Sequence, residues 1–239
     1  YLIVRKQASD WGTSVVTSDV IQAMITSGTP WAVAATTPTV TVDGQQVAVK
    51  PEGKTGAFST DVNGSSVTVS RPAEAKTPAY GALVSTFTSP MTEVKAYSDG
   101  EVYIDKQMYV MRDGKWQTLK NGGTLKVGDR VKVQIILKSD RPMNQVVVTD
   151  QRPATFEPAV QLSGWVWGDG VSAYRENRNS ATNLYIDYLP RGTNMLSYEM
   201  NVNNAGRFSS GIATVSCSRA PSLTAHSGGM QLSVAPQSK

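Results

Sequence analysis

His226, Cys217 and a scatter of carboxylates are the residues of this chain that could make or break bonds. The chain carries one histidine and one cysteine. A Ser-His-Asp triad would have to use His226, which sits in AHSGG, a polar stretch beside flexible glycines, and reads as a loop histidine without a catalytic role. One His and one Cys cannot assemble the usual zinc ligand sets. No DxDxDG loop offers a calcium site, and DQRPATFEP brings only Asp150 and Glu157 near each other. Cys217, in VSCSR, alternates with apolar neighbours and reads as a small buried residue. A nucleophilic thiol would need a base or a positive helix end beside it. These patterns assign no catalytic, metal-ligating or cofactor-binding residue.

Asp150, Arg152, Glu157, Asp187, Arg191 and Glu199 are charges set in an otherwise apolar framework. Paired carboxylates can hydrolyse glycosides, but the commoner fate of such charges is a structural ion pair or turn bond between strands. Trp165, Trp167 and Tyr174, in SGWVWGDGVSAYRE, are the candidate interaction surface. Their alternate spacing puts both tryptophans on one face of a strand, where they could stack on a sugar or meet a protein. The competing reading is an ordinary packing face.

These residues need a framework, and the stretch Leu125 to Thr214 supplies one. Val131, Val133, Ile135 and Leu137 alternate with Arg130, Lys132, Gln134 and Ile136, predicting a strand over 130–138. A turn carrying Asp140 and Pro142 leads to a second strand over 144–149. Leu184, Ile186 and Tyr188 alternate with Tyr185, Asp187 and Leu189, and after a PRG turn a long strand runs from Met195 to Val202. Four long strands with sharp turns predict a β-sandwich.

Upstream, Val20, Ile21, Met24 and Ile25 share one face at helical spacing, with Thr17 or Ser18 as cap and Gly28 and Pro30 as stop. Asp43-Gly44 and Asn63-Gly64 each predict a hairpin, giving four strands in a small antiparallel unit. Residues 79–88 read as an apolar strand, 89–100 as a polar, irregular boundary, and Asp113-Gly114 as another hairpin turn. The tail predicts two strands, near 212–218 and 229–234. The fold class is therefore mainly β, an antiparallel sandwich preceded by a smaller β unit and a short helix.

Hydrophobic residues are 40% and charged residues 18%, as in a globular protein. The net charge of +4 is dispersed, without the basic stripe that nucleic-acid binding requires. A lone cysteine excludes an intrachain disulfide, though a chain of this size can be secreted without one. No run approaches the length of a transmembrane helix. The chain begins at Tyr1 without a signal peptide and reads as a fragment or a processed product.

GKWQTL, LKVGDRVKVQIILKSDRPMNQVVVTDQRPATFEP, SGWVWGDG, YLPRGTNMLSYEMNVNNAGRFSSGIAT and HSGG together resemble the C-terminal end of bacterial alpha-2-macroglobulins. That family carries similar D-R, D-R-x-A-x-x-E-P, L-P-x-G-T and Y-x-x-x-V-x-x-x-G-x-F stations in this order. DWGTSVVTSDVIQAMI is similar to the close of the family's helical thioester domain. The resemblance implies a helical remnant over 1–30, a CUB-like β unit over 31–88 and the last macroglobulin-like sandwich over 89–239. SRAPSLTAHSGG departs from relatives, which often carry a tyrosine-bearing M-Y-A-P-E stretch there.

Full-length members are implied to be periplasmic or cell-envelope protease traps, in which a bait is cut, the molecule rearranges, and a Cys-Gly-Glu-Gln thioester can capture the protease. Neither the bait nor that motif lies in these residues. The implied role is the non-catalytic C-terminal portion of such an endopeptidase inhibitor, with no cofactor. Its implied partners are the parent's other domains and, through the whole protein, target proteases. The alternative is a secreted carbohydrate- or surface-binding sandwich using Trp165, Trp167 and Tyr174.

Overall fold

The computed structural model describes residues 11–27, 36–53, 56–75, 81–84 and 88–236. They fall into two compact units, one within Gly12–Thr86 and the other within Phe87–Lys239 together with Trp11.

The first unit holds helix α1 (Ser14–Thr26) and five short strands: β1 (Thr39–Val42), β2 (Gln45–Val47), β3 (Lys50–Pro51), β4 (Phe58–Ser59) and β5 (Val67–Ser70). The helix starts earlier than the sequence predicts. Thr13 is the cap, its Oγ1 accepting from the Val16 N–H, while Thr17 and Ser18 lie inside the helix. The apolar stripe is not buried as a stripe, because Val20 is covered while Ile21 and Ile25 stay exposed. The expected stop at Gly28 and Pro30 falls outside the described residues.

Asp43-Gly44 does turn the β1–β2 hairpin, both residues left-handed at φ 48° and 83°. Asn63-Gly64 does not turn a hairpin. The Asp43 carboxylate accepts the N–H groups of Ser65 and Ser66, which draws the following strand onto β1. The sheet is thus β2-β1-β5, with β3 and β4 paired separately, rather than one four-stranded unit. Residues 81–84 form no strand, and Leu83 and Val84 are exposed. The rest of the strand expected over 79–88 is largely outside the described residues.

The second unit is the sandwich. In chain order its strands are β6 (Tyr97–Ser98), β7 (Val102–Arg112), β8 (Lys115–Thr118), β9 (Thr124–Lys126), β10 (Arg130–Ser139), β11 (Met143–Gln151), β12 (Phe156–Pro158), β13 (Gly164–Trp167), β14 (Ser172–Asn177), β15 (Ala181–Leu189), β16 (Gly192–Val202), β17 (Gly206–Ser209), β18 (Ala213–Cys217), β19 (Ala220–His226) and β20 (Gln231–Ala235). One sheet runs β12-β16-β10-β7-β8 and the other β13-β14-β15-β11-β18-β19-β6. A smaller sheet, β17-β20-β9, pairs β20 antiparallel to β17 and parallel to β9.

The core lies between the two large sheets. Val131, Val133, Ile135 and Leu137 from β10 and Val146 and Val148 from β11 are each at most 2% exposed, as the period-two pattern requires. Leu184 and Ile186 from β15, with Leu196 and Met200 from β16, complete it. Burying a side chain of this kind stabilises by about 1.5–3 kcal/mol.

Three strand expectations need correction. On β15 the alternation fails at its end, where Tyr188 is exposed and Leu189 buried. Beside it on β11, Gln145 is left-handed at φ 56°, and the pleat changes phase in both strands. The boundary segment 89–100 is not wholly irregular, since β6 joins the seven-stranded sheet next to β19. Finally, SRAPSLTAH holds a third tail strand. Its buried side chains are Ala220, Leu223 and Ala225, and a register shift at Ser216/Cys217 breaks the alternation that would have announced it.

Candidate functional site

The seven-stranded sheet turns one face to solvent, and its β13–β14–β15 end carries the aromatic residues. Trp165 pairs with Tyr174, and Tyr174 with Tyr185, so the three side chains stand in a row across three strands. Trp167 lies two residues along the same face, opposite Ser172. Trp165 is 51% and Trp167 77% exposed, which decides against a packing face for them. The Trp165 and Tyr174 rings are 6.0 Å apart at 80°, an edge-to-face contact rather than a coplanar platform.

Beside the row, Glu176 Oε2 accepts from the Tyr185 hydroxyl at 2.9 Å and from Asn183 at 3.2 Å. Arg178 reaches Oε1 at 2.7 Å. These donors hold the Glu176 carboxyl below its usual range, with the Asn183 bond first, while accepting from Tyr185 raises that phenol. The structure thus brings Trp165 and Tyr174 into contact and adds Tyr185, which sequence reasoning did not single out.

A second polar feature lies inside the sandwich. On β7, Lys106 shares the inward phase of Ile104 and Met108, and it is 6% exposed. Its Nζ lies 2.6 Å from Asp150 Oδ1 on β11 of the opposite sheet. It also donates to the backbone carbonyls of Gln151 at 2.9 Å and Ser210 at 2.8 Å. Tyr198, on β16, donates its hydroxyl to Asp150 Oδ2. Burial pushes the Asp150 carboxyl up against the opposing pull of Lys106 and Tyr198, and burial with the Asp150 charge pushes the Tyr198 phenol well up. Of the two fates the sequence offers Asp150, an ion pair or a turn bond, the geometry shows the ion pair. Lys106 and Tyr198 were not singled out, although each stands where its strand's pattern calls for an apolar residue.

A family model described as the Bacterial Alpha-2-macroglobulin MG10 domain matches residues 102–222, half of the chain and most of this sandwich. The chain belongs to the bacterial alpha-2-macroglobulin family. Among solved structures, Escherichia coli alpha-2-macroglobulin activated by porcine elastase is similar at 13% identity and a TM-score of 0.51, over 95% of this chain and 20% of that one. This is a likeness of fold. Native alpha-2-macroglobulin from Escherichia coli, spanning domain MG7 to the C-terminus, aligns at 17% identity and 0.49 over 62% of this chain and 25% of that one. Salmonella alpha-2-macroglobulin reacted with methylamine aligns at 18% and 0.47 over 60% and 10%. The chain therefore spans a minor part of the length of each. No curated protein matches it.

Within this MG10 sandwich the residues that carry the family resemblance hold backbone. Arg152 donates to the carbonyls of Arg178 and Asn179. Thr155 Oγ1 donates to the Asn204 carbonyl at 2.6 Å and accepts its N–H at 3.0 Å. Gly229 of HSGG passes so close to Met91 that a Cβ would stand 1.8 Å from its carbonyl oxygen. Ser227 Oγ accepts the Ala213 N–H at 2.9 Å.

The chemistry-bearing residues are placed as follows. His226 does not sit in a loop but closes β19, its ring stacked on Tyr97 at 5.7 Å, with Nδ1 3.2 Å from the Ser227 carbonyl. Cys217 is buried on β18, with Sγ 3.5 Å from the Asn144 carbonyl. Asp187 and Glu157 are exposed, and Glu199 is paired with Arg130 on the outer face of the five-stranded sheet. Among the described residues no group of three or more His, Cys, Asp or Glu side chains is placed to hold a metal ion, and no helix is long and apolar enough to cross a membrane.

Proposed function

We propose that this chain is the non-catalytic C-terminal portion of a bacterial alpha-2-macroglobulin-like protease trap, an endopeptidase inhibitor that acts through domain packing and conformational change. The observation that carries the reading is the MG10 match over the sandwich. Residues 1–30 would be the remnant of a helical thioester-type domain, 31–88 the CUB-like unit and 89–239 the macroglobulin-like sandwich. The likeness to the elastase-activated Escherichia coli protein over 95% of the chain supports extending the reading upstream of the MG10 match. The parent would act in the periplasm or cell envelope, with its other domains and target proteases as partners.

The test uses the full-length parent with elastase, comparing cleavage of a large protein substrate and of a small peptide substrate. A trap suppresses the first far more than the second. Replacing residues 87–239 by an unrelated sandwich should abolish that difference, and an unchanged difference would overturn the reading.

The exposure of Trp165 and Trp167 favours a second reading, a carbohydrate- or surface-binding sandwich. Retention of the chain on insoluble peptidoglycan or cellulose, lost in a Trp165→Ala, Trp167→Ala double variant, would replace the first reading by the second.

A further inference from the structure

We propose that Lys106 and Asp150 are the two halves of an intramolecular isopeptide bond that the folded sandwich forms without an enzyme, joining β7 of one sheet to β11 of the other. This inference is independent of the trap reading.

The geometry is that of a reacting pair as much as of an ion pair. Both side chains are 2% exposed, and Nζ lies 2.6 Å from Oδ1. Charge-assisted N–H···O bonds usually sit at about 2.7–2.9 Å. At that short distance the approach of Nζ to Oδ1 lies outside ordinary hydrogen-bond angles. The hydrogens have other acceptors, the carbonyls of Gln151 at 2.9 Å and Ser210 at 2.8 Å. A neutral amine has two hydrogens and one lone pair. With both hydrogens engaged by those carbonyls, the lone pair faces the Asp150 carboxyl.

Burial brings the neutral pair within reach of the ionic one. Taking two charges out of water costs several kcal/mol per ion, and moving one proton from the ammonium to the carboxylate removes both charges. Burial raises the Asp150 carboxyl in the same direction. The Tyr198 hydroxyl is on Oδ2, where negative charge would develop during attack.

The step balances without an outside reagent. The Lys106 ammonium passes a proton to the Asp150 carboxylate, and the neutral Nζ then attacks Cγ. Tyr198 stabilises the oxygen of the tetrahedral intermediate. The C–O bond to the protonated oxygen breaks, Nζ gives up a second proton to that leaving group, and one water departs. The amide keeps one N–H, for which the Gln151 and Ser210 carbonyls are acceptors, and its carbonyl oxygen remains with Tyr198. Holding the two groups in contact replaces the activation such a condensation needs in solution. With only one cysteine in the chain, an intrachain disulfide cannot tie the sheets.

The experiment is intact-mass spectrometry of the purified chain under denaturing conditions, followed by peptide mapping. The expected mass is that of the sequence less one water, with a branched peptide joining residues 106 and 150. Lys106→Arg and Asp150→Ala should restore the full mass. Tyr198→Phe, if folded by circular dichroism, should form the bond more slowly after refolding. A full sequence mass after prolonged incubation of the folded chain overturns the proposal, with Lys106 recovered in a linear peptide. So does a water loss that maps to Asp150 alone, as a succinimide would.

Discussion

The two units of this chain are built from similar turns and similar strand-forming residues, yet they solve burial differently. In the 12–86 unit the buried apolar side chains among the described residues are Val20, Val40 and Val42. In the MG10 sandwich the long strands place long inward rows, broken by a change of phase on β11 and β15. The difference follows from strand length. A four-residue strand such as β1 buries two side chains, whereas the eleven residues of β7 or β16 bury five. Turn chemistry sets where a strand ends, but length sets what it can bury.

Several substitutions would sharpen or break that contrast. The largest effect is expected from Lys106→Met, which leaves the Asp150 carboxyl buried without its lysine partner and should cost the sandwich about 3–5 kcal/mol. Urea melts of the chain would measure it. A loss within experimental error would mean the core reorganises around the carboxyl.

Next in size is Leu137→Ala, expected to cost about 2–5 kcal/mol through the cavity it leaves. In the other unit a Val42→Ala change deletes fewer atoms from a shallower site and should cost nearer 1 kcal/mol. If tryptophan fluorescence melts gave equal losses, the two units would be equally well packed and the contrast would fail.

A smaller effect should come with pH. Arg112 holds Asp129 through two bonds of 2.5 and 2.6 Å, and the Lys126 N–H adds a third at 2.7 Å. Burial opposes, but these bonds prevail and keep the Asp129 carboxyl below its usual range. A carboxyl depressed by folding contributes stability above its unfolded pKa, about 3.9, and loses it as pH falls through the folded value. The difference in Tm between the unaltered chain and Asp129→Asn should therefore be present near neutrality and shrink below about pH 4. A gap that is constant with pH would remove the ion pair from the account.

The smallest effects belong to the helix. Thr13→Ala removes the cap and should cost about 1 kcal/mol locally, visible as lost helical circular dichroism. Ile25→Lys should stay within about 0.5 kcal/mol because the side chain is 65% exposed. A large loss there would show that the helix is covered in solution.

The long strands were legible because their apolar residues repeat every second position with little interruption. What was not legible had a physical cause in each case. The phase change at Tyr188 depends on the backbone of Gln145, a residue with no local mark of left-handedness. The strand Ala220–His226 buries two alanines, which periodicity weighs lightly, and Pro221 argues against it. The Asn63-Gly64 hairpin failed because Asp43, twenty residues upstream in the chain, captured the following amides. Of the candidate surface, spacing alone places Trp165 and Trp167 on one face, whereas Tyr174 and Tyr185 join them through strand pairing. Lys106 was readable in principle, since a lysine in step with Ile104, Met108 and Val110 has no solvent to reach.

The position of β20 bears on how the molecule would carry tension. It is held on one side by an antiparallel ladder and on the other by a parallel one. A pull applied beyond Ala235 loads both ladders along their length, so their bonds share the force rather than parting in turn. A hairpin such as β7–β8, pulled at its open end, unzips pair by pair. The rate of yielding under force is set by the unfolding barrier, and for β20 that barrier includes drawing Leu232 and Val234 out of the core. The last strand would therefore act as a grip, passing load into the sandwich instead of peeling away from it.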